Sequence, residues 1–417
     1  MYLTQTNIIR GLTKQEYSVL RELCAYSNNL YNVGLYAIRQ HYFAEKKHLP
    51  YQSNCKECKF NENFSLLRSH LAQQVLRVLD QSFRSFFALN RKKKNGTYGQ
   101  KVGLPHYRKK GGLFNLICPS DCISIKNGMF RVPMSRKFQE LYGKQDIKIP
   151  FPKRIDPSSV KEVVIVPRQD GRYFKIQYIY EIQEQQLNLN KDNSLAIDLG
   201  IDNLATCVQG NGTSYLLDGR RLKSINHYWN KKKARFQSVA SKQGLRTTRR
   251  LRDLAMRRNF RVEDIIRKTA RYIVNRCISE DIGTIVVGYS KDFKRSVNIG
   301  RVNNQNFTQI PIGDLRNKLN YLCEQYGMDY IEVEESYTSK ASFLDQDELP
   351  KYDPEKPFTA SFSGKRVKRG LYRSSSGRLV NADVNGACNI LRKSKRNFNF
   401  ERLCMGLLAS PLRIRLV

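Results

Sequence analysis

Apolar residues recur at three- and four-residue spacing over residues 15–45 and again over 65–90, which predicts two amphipathic helices. In the second, Leu71, Val75, Leu76, Leu79, Phe83, Phe86 and Phe87 share one broad stripe, a face that packs on something. The first dozen residues read as a strand. From about 115 to 182 the pattern shortens to β-rich runs, and VVIVPRQDGRYFKIQYIYEI reads as a hairpin turning at Gln169, Asp170 and Gly171. These runs predict a small β-barrel. The polar segment QEQQLNLNKDNS, residues 183–194, reads as a linker, and beyond it strands alternate with helices as in an α/β core. Within that half, residues 221–279 read as a long helical pair broken near Gly244.

A chain of 417 residues has room for two or three cores, so the expected class is α+β multidomain. Hydrophobic residues make up 40% of it, which rules out wholesale disorder, and no apolar run approaches the roughly 18 residues of a membrane span. The start, MYLTQTNIIRGLTKQEY, has no basic stretch followed by an apolar one, so no secretory signal and a cytoplasmic location are expected. Ten cysteines scattered from Cys24 to Cys404 are too sparse for a disulfide scaffold and are expected to be reduced and mostly buried.

Charge changes the picture most. Lys and Arg number 73 against 37 Asp and Glu, a net +36, and a fold carrying that excess repels itself unless a polyanion relieves it. Nucleic acid is the expected partner, through phosphate neutralisation. Two segments concentrate the charge. In NRKKKNGTYGQKVGLPHYRKKGG, residues 90–112, Arg91, Lys92, Lys93, Tyr107 and Arg108 mix cations with a ring that can stack on bases, in what reads as a loop. In the helical pair, Arg246, Arg249, Arg250, Arg252, Arg257, Arg258 and Arg261 crowd into sixteen positions, and Arg grips phosphate in a bidentate fork.

Carboxylates supply the candidate chemistry. LAIDLGIDNLAT, residues 195–206, is an apolar strand with Asp198 inside it, and a charge in a buried strand needs a partner. A metal ion is the partner that makes such a carboxylate useful, as on the central strand of RNase H-like nucleases; DLG also occurs in sugar kinases and actin-like ATPases. NADVNGACNIL, residues 381–391, places Asp383 at the start of an amphipathic helix, with Asn385 and Asn389 on its polar side.

Several separated motifs recur in order: AQQ at 72–74, SFF at 85–87, the IDLG strand, NNQNF at 303–307, YTSKASF at 337–343 and NADVNGACNI. In that order they resemble, over nearly the whole chain, the TnpB family of transposon-encoded RNA-guided nucleases, whose core compact type V CRISPR nucleases and Fanzor proteins share. Two departures stand out. The strand TIVVGYSKDFK runs into Gly288 and Tyr289, where most of that family ends on a glutamate. The following strand, IEVEESYTS, carries Glu332, Glu334 and Glu335 and resembles the rearranged, Fanzor-like branch with its glutamate just before the TS pair. Strand alternation sets Glu335 on the face of Ile331 and Val333 and turns Glu332 and Glu334 outward; a one-residue register error or a bulge gives the role to Glu334. The second departure is residues 340–382, where relatives often hold zinc on two CxxC pairs and this chain has neither Cys nor His, so no zinc is expected there. Lys365 and Arg366 keep that segment basic, and Cys55 and Cys58 form a CxxC with no second pair nearby.

The resemblance implies a β-barrel wedge domain (1–14 and 96–182) with an inserted helical recognition lobe (15–95). After the linker it implies an RNase H-like RuvC α/β nuclease domain (195–392) and a C-terminal tail (393–417). It implies catalysis by Asp198, Glu335 and Asp383 on two Mg²⁺ ions, with a guide RNA, omega or CRISPR-type, and target DNA as partners, no membrane, and a monomer. A nuclease-dead guided DNA-binding repressor and a guide-free, structure-specific DNA nuclease remain as alternatives, with a strand-transfer transposase behind them.

Overall fold

The structure is a computed structural model that describes residues 1–289, 309–351, 361–408 and 410–416. The NNQNF motif and the end of TIVVGYSKDFK lie outside the described residues. The chain divides into two units, Met1–Gln183 and Glu184–Val417.

In the first unit β1 (Tyr2–Ile8) leads into α1 (Lys14–Glu45), α2 (Tyr51–Cys58), α3 (Glu62–Leu66) and α4 (Ser69–Lys94). There follow β2 (Leu116–Pro119), β3 (Ser124–Lys126), β4 (Met129–Arg131), α5 (Arg136–Tyr142), β5 (Lys148–Pro150), β6 (Val160–Arg168) and β7 (Tyr173–Glu181). Thr13 starts α1 with a reciprocal cap: its hydroxyl accepts from the Glu16 N–H while the Glu16 carboxylate accepts from the Thr13 N–H. The predicted stripe of α4 is buried at Leu71, Val75, Leu76, Leu79 and Phe83, with Phe86 and Phe87 half-buried beside it. Strands order as β1-β7-β6-β2 in one antiparallel sheet and β3-β4-β5 in another, and one apolar core runs from the helices into both. At the β6–β7 turn Gln169, Asp170 and Gly171 have φ of 52°, 58° and 77°. A Cβ on Gly171 would stand 2.4 Å from Leu113 Cδ1, so this left-handed position takes glycine. The basic run expected to begin a loop at residue 90 instead stays helical to Lys94. Arg91, Lys92, Lys93 and Lys94 form the last turn of α4, where good helix formers that are also cations meet the negative end of the helix.

The second unit holds β8 (Ser194–Asp198), β9 (Asn203–Gln209), β10 (Ser214–Asp218), α6 (Arg220–Lys242), α7 (Arg249–Ser279), β11 (Thr284–Tyr289), α8 (Ile312–Tyr326) and β12 (Asp329–Glu334). It continues with β13 (Lys365–Lys368), β14 (Leu371–Arg373), β15 (Leu379–Asn381), α9 (Ala382–Lys393), α10 (Phe400–Leu408) and β16 (Leu412–Ile414). Six strands form one mixed sheet, β12-β11-β8-β9-β10-β16, with β8 parallel to β11 and antiparallel to β9. The period of two sorts its faces. Leu195 and Ile197 join the core made by Ile266 and Ile273 of α7 and Leu319 of α8. Ala196 and Val286 turn to the opposite face, against Ala387, Ile390 and Leu391 of α9. Strand, turn and helix thus hand the α9 face a fixed set of positions. Asp198 continues the parity of Ala196, Gly288 that of Val286, and Glu335 that of Ile331 and Val333, which pack on the same core. The basic hairpin α6–α7 turns at Gly244, φ 67°, as its sequence predicts.

Candidate active site

Asp198 ends β8 on the α9 face and keeps a partial opening to solvent. Burial first, then the charges of Asp383 and Glu335, push its carboxyl from 3.8 up to about 8, with Arg366 pulling the other way. A Cβ on Gly386 of α9 would stand 3.1 Å from Asp198 Oδ2, so the carboxylate lies directly against that helix.

Glu335 follows β12 and is anchored by its N–H to the Tyr289 carbonyl at 3.2 Å. Burial and the neighbouring Glu334 raise its carboxyl from 4.5 to about 7, against the pull of Arg316 and Lys393. Its Oε2 lies 3.1 Å from where a Cβ on Gly288 would stand. The carboxylate therefore occupies the region that a side chain at 288 would enter. Glu332 and Glu334 are exposed and otherwise engaged: Glu332 takes both oxygens to Arg316, and Glu334 pairs with Lys393 at 3.0 Å and accepts from the Ser336 N–H at 2.6 Å.

Asp383 lies in the first turn of α9, but it is not the cap. Asn381 is, accepting from the N–H groups of Asp383 and Val384. The carboxylate is thereby left for two side-chain donors, Asn203 Nδ2 at 2.7 Å and Arg366 Nη2 at 3.0 Å. Arg413 in turn orients Asn203 through its Oδ1 at 2.7 Å. Among the described residues no group of three His, Cys, Asp or Glu is already spaced to hold a metal ion. The structure brings Asp383 and Glu335 within electrostatic reach of Asp198, with Arg366 as a nearby counter-charge.

Around Asp383 the cysteine-free segment is held by carboxylates. Asp347 accepts from the Ser342 N–H at 2.7 Å and from the N–H and hydroxyl of Ser363, while Asp345 accepts from the N–H and hydroxyl of Ser375 at 2.9 and 2.6 Å. Cys55 and Cys58 are free thiols, the second bonded to Asn54 at 3.5 Å.

The basic candidates separate into two groups. Arg91, Lys92, Lys93, Tyr107, Arg246, Arg249, Arg250, Arg257, Lys365 and Arg366 are exposed. Arg108 and Arg258 turn inward. Arg108 lies 4.1 Å over the Phe114 ring and bonds Asn28 at 3.1 Å; Arg258 bonds Asn226 at 2.8 Å and the Gln309 carbonyl at 2.7 Å. Sequence reasoning missed Asn203, the Asn381 cap and the pairing of Arg366 with Asp383. The first and last are contacts between residues far apart in the chain, whereas an Asn two positions before the helical Asp was a readable cap signal.

The sheet flanked by helices on both faces, with acidic side chains gathered on the α9 face, is the mixed α/β architecture of compact RuvC-containing nucleases. Residues 177–294 match the family described as a probable transposase, OrfB_IS605, and residues 313–390 match the Cas12f1-like TNB domain. The chain is 27% identical to the TnpB-like protein ORF457 of Acidianus two-tailed virus over 94% of its own length and 86% of that protein's. It is 26% identical to the CRISPR-associated endodeoxyribonuclease Cas12f1 of Sulfoacidibacillus thermotolerans over 56% of this chain and 52% of that one. In fold it is similar to Cas12f1 in its complex with sgRNA and target DNA (TM-score 0.56, 14% identity, covering 91% and 83% of the two chains). It is also similar to the mini-RNA-guided endonuclease CRISPR-Cas_phi3 (TM-score 0.50, 10% identity, 96% and 94%). The chain is thus similar, along most of its length, to a TnpB-like protein and, over about half of it, to a Cas12f1 protein. No helix among the described residues is long and apolar enough to cross a membrane.

Proposed function

We propose that this chain is an RNA-guided DNA endonuclease of the rearranged-glutamate branch, cutting with Asp198, Glu335 and Asp383. The observation that carries this reading is the crowding of like charge: Asp198, desolvated at its strand end, has its carboxyl raised further by Asp383 and Glu335. Carboxylates perturbed by burial and by one another cluster at functional sites. The donors are all carboxylate oxygens, which suits Mg²⁺, and when ionised the three would carry more negative charge than Arg366 offsets. Asp198, Glu335 and Asp383 would hold two such ions, which when bound supply an activated water and charge for the leaving oxygen of a phosphodiester. The residues themselves fix the position: Asn203 and Asn381 orient Asp383, and the parity of β8 and β12 sets Asp198 and Glu335 on its side of the sheet.

The surrounding chain takes the roles the family implies. Residues 1–14 and 96–182 form the wedge, 15–95 the recognition lobe, 195–392 the nuclease core and 393–417 the tail, acting as a monomer on guide RNA and a short target-adjacent motif. A nuclease-dead repressor is the second reading, raised by Gly288. The Glu335 carboxylate beside that glycine argues for cleavage. Purifying the protein from its native locus, sequencing the RNA it carries, and offering matched duplex with Mg²⁺ tests the reading. Cleavage of matched DNA alone is expected; RNA-independent cleavage, or guided binding without any cut, would overturn it.

A further inference from the structure

Asn385 and Asn389 stand one turn apart on α9, and both are fully buried, so the polar side of this helix faces protein and not solvent. Amides at that depth persist where they satisfy backbone groups. Asn385 donates from Nδ2 to the Ala341 carbonyl at 2.8 Å and accepts at Oδ1 from the Phe343 N–H at 3.0 Å, the two bonds a neighbouring strand would offer. Asn389 donates from Nδ2 to the carbonyls of Thr338 and Ala341 at 2.9 and 2.8 Å. Because both of its partners only accept, they fix the amide's orientation, and its Oδ1 is buried with no hydrogen-bond partner among the described residues. Thr338 passes the restraint on: its N–H and hydroxyl donate to the Glu335 carbonyl at 3.2 and 2.8 Å. The turn between them bends through Tyr337 at φ 65°, a left-handed conformation that is strained for a side-chain-bearing residue and so needs outside support. One helix thus carries Asp383 in its first turn and, two and six residues further on, grips the segment Thr338–Phe343 that follows Glu335.

We infer that Asn385 and Asn389 are positioning residues, which act through Thr338 and Ala341 to hold Glu335 in register with Asp383 and Asp198. The inference rests on the reading of those carboxylates as the cleavage site. Outer-sphere partners of metal-holding groups typically matter by about 10–100-fold in metal affinity or activity. Simple core packing by the two amides would instead cost stability alone.

The test compares Asn389→Ala, Thr338→Val and a control on the same helix, Cys388→Ala, which is buried in the apolar core. Each protein–guide complex is assayed for melting temperature, Mn²⁺ binding by electron paramagnetic resonance, target affinity and single-turnover cleavage. Asn389→Ala and Thr338→Val are expected to weaken Mn²⁺ binding and slow cleavage by about tenfold or more, with target affinity retained. Cys388→Ala is expected to lower the melting temperature while leaving metal binding and cleavage as in wild type. Wild-type Mn²⁺ binding in both test variants, or equal losses in Cys388→Ala, overturns the inference. If Asn389→Ala fails to fold, Thr338→Val, which removes only a hydroxyl bond, decides alone. A wild-type complex that binds its guide but never cuts matched DNA defeats the underlying reading, an outcome distinct from variants that cut at the wild-type rate.

Discussion

The Glu335 carboxylate and the α-carbon of Gly288 are complementary, because Oε2 lies 3.1 Å from where a side chain on that glycine would begin. The same virtual Cβ stands 2.5 Å from Ile390 Cδ1, so a methyl group there meets the glutamate on one side and the core on the other. Gly288→Ala is therefore expected to cost about 1–3 kcal/mol of stability and to slow cleavage by displacing Glu335. Adding Ile390→Val should restore the melting temperature and leave cleavage slow. Single-turnover rates beside thermal melts check this, and a fast Gly288→Ala enzyme would separate the glycine from the site.

Three glutamates within four positions, Glu332, Glu334 and Glu335, provide a graded comparison. Glu335→Gln is expected to stop cleavage with guide and target binding retained. Glu332→Gln, which loosens a surface pair with Arg316, is expected to be nearly silent, and Glu334→Gln intermediate at most. Full activity in Glu335→Gln with loss in Glu334→Gln would show that the strand parity does not extend past β12.

The metal-free protein should show a pH signature at Asp198. Its carboxyl is raised in the fold from 3.8 to about 8, so the folded state holds the proton more tightly than the unfolded chain. The contribution to stability is fully present below the unfolded value and is lost as pH rises through the folded one. Between about pH 4 and 8 the melting temperature of Asp198→Asn should therefore rise relative to wild type. Mg²⁺ should narrow the gap by stabilising wild type. A difference independent of pH would place Asp198 in a site where its charge is already matched.

Arginines on one helix are expected to behave oppositely. Arg250 and Arg257 are exposed, and replacing either by Ala should weaken nucleic-acid binding and lower the slope of log affinity against log salt by about 1. Arg258 is committed to Asn226 and the Gln309 carbonyl, so Arg258→Ala should instead cost about 1–3 kcal/mol of stability. Salt titrations and melts on the same three variants distinguish the two behaviours.

Local patterns were readable wherever one period decided the outcome. The stripe of α4, the hairpin at Gln169–Gly171, the break at Gly244 and the outward turn of Glu332 and Glu334 each follow from spacing and turn chemistry within a few residues. The inward turn of Arg258 and Arg108 was not readable, because composition counts a guanidinium without saying whether Asn226 or Asn28 waits for it. Likewise the sequence showed Asn385 and Asn389 as the polar side of a helix, but polarity alone did not reveal that a loop some 45 residues earlier lies over them. The extension of α4 through Lys94 was missed because a run of cations reads as solvated loop, although the same cations favour a helix end.

The carboxylate clamp of Asp345 and Asp347 has a consequence for how this lobe comes into being. A lobe tied by four thiolates waits for an ion from outside the chain and comes apart when any one ligand is lost. Here the fastenings to Ser342, Ser363 and Ser375 are many, modest and encoded in the polypeptide. Fastenings of this kind can be loosened or retuned one at a time, since each successive substitution removes a single hydrogen bond and leaves the others in place.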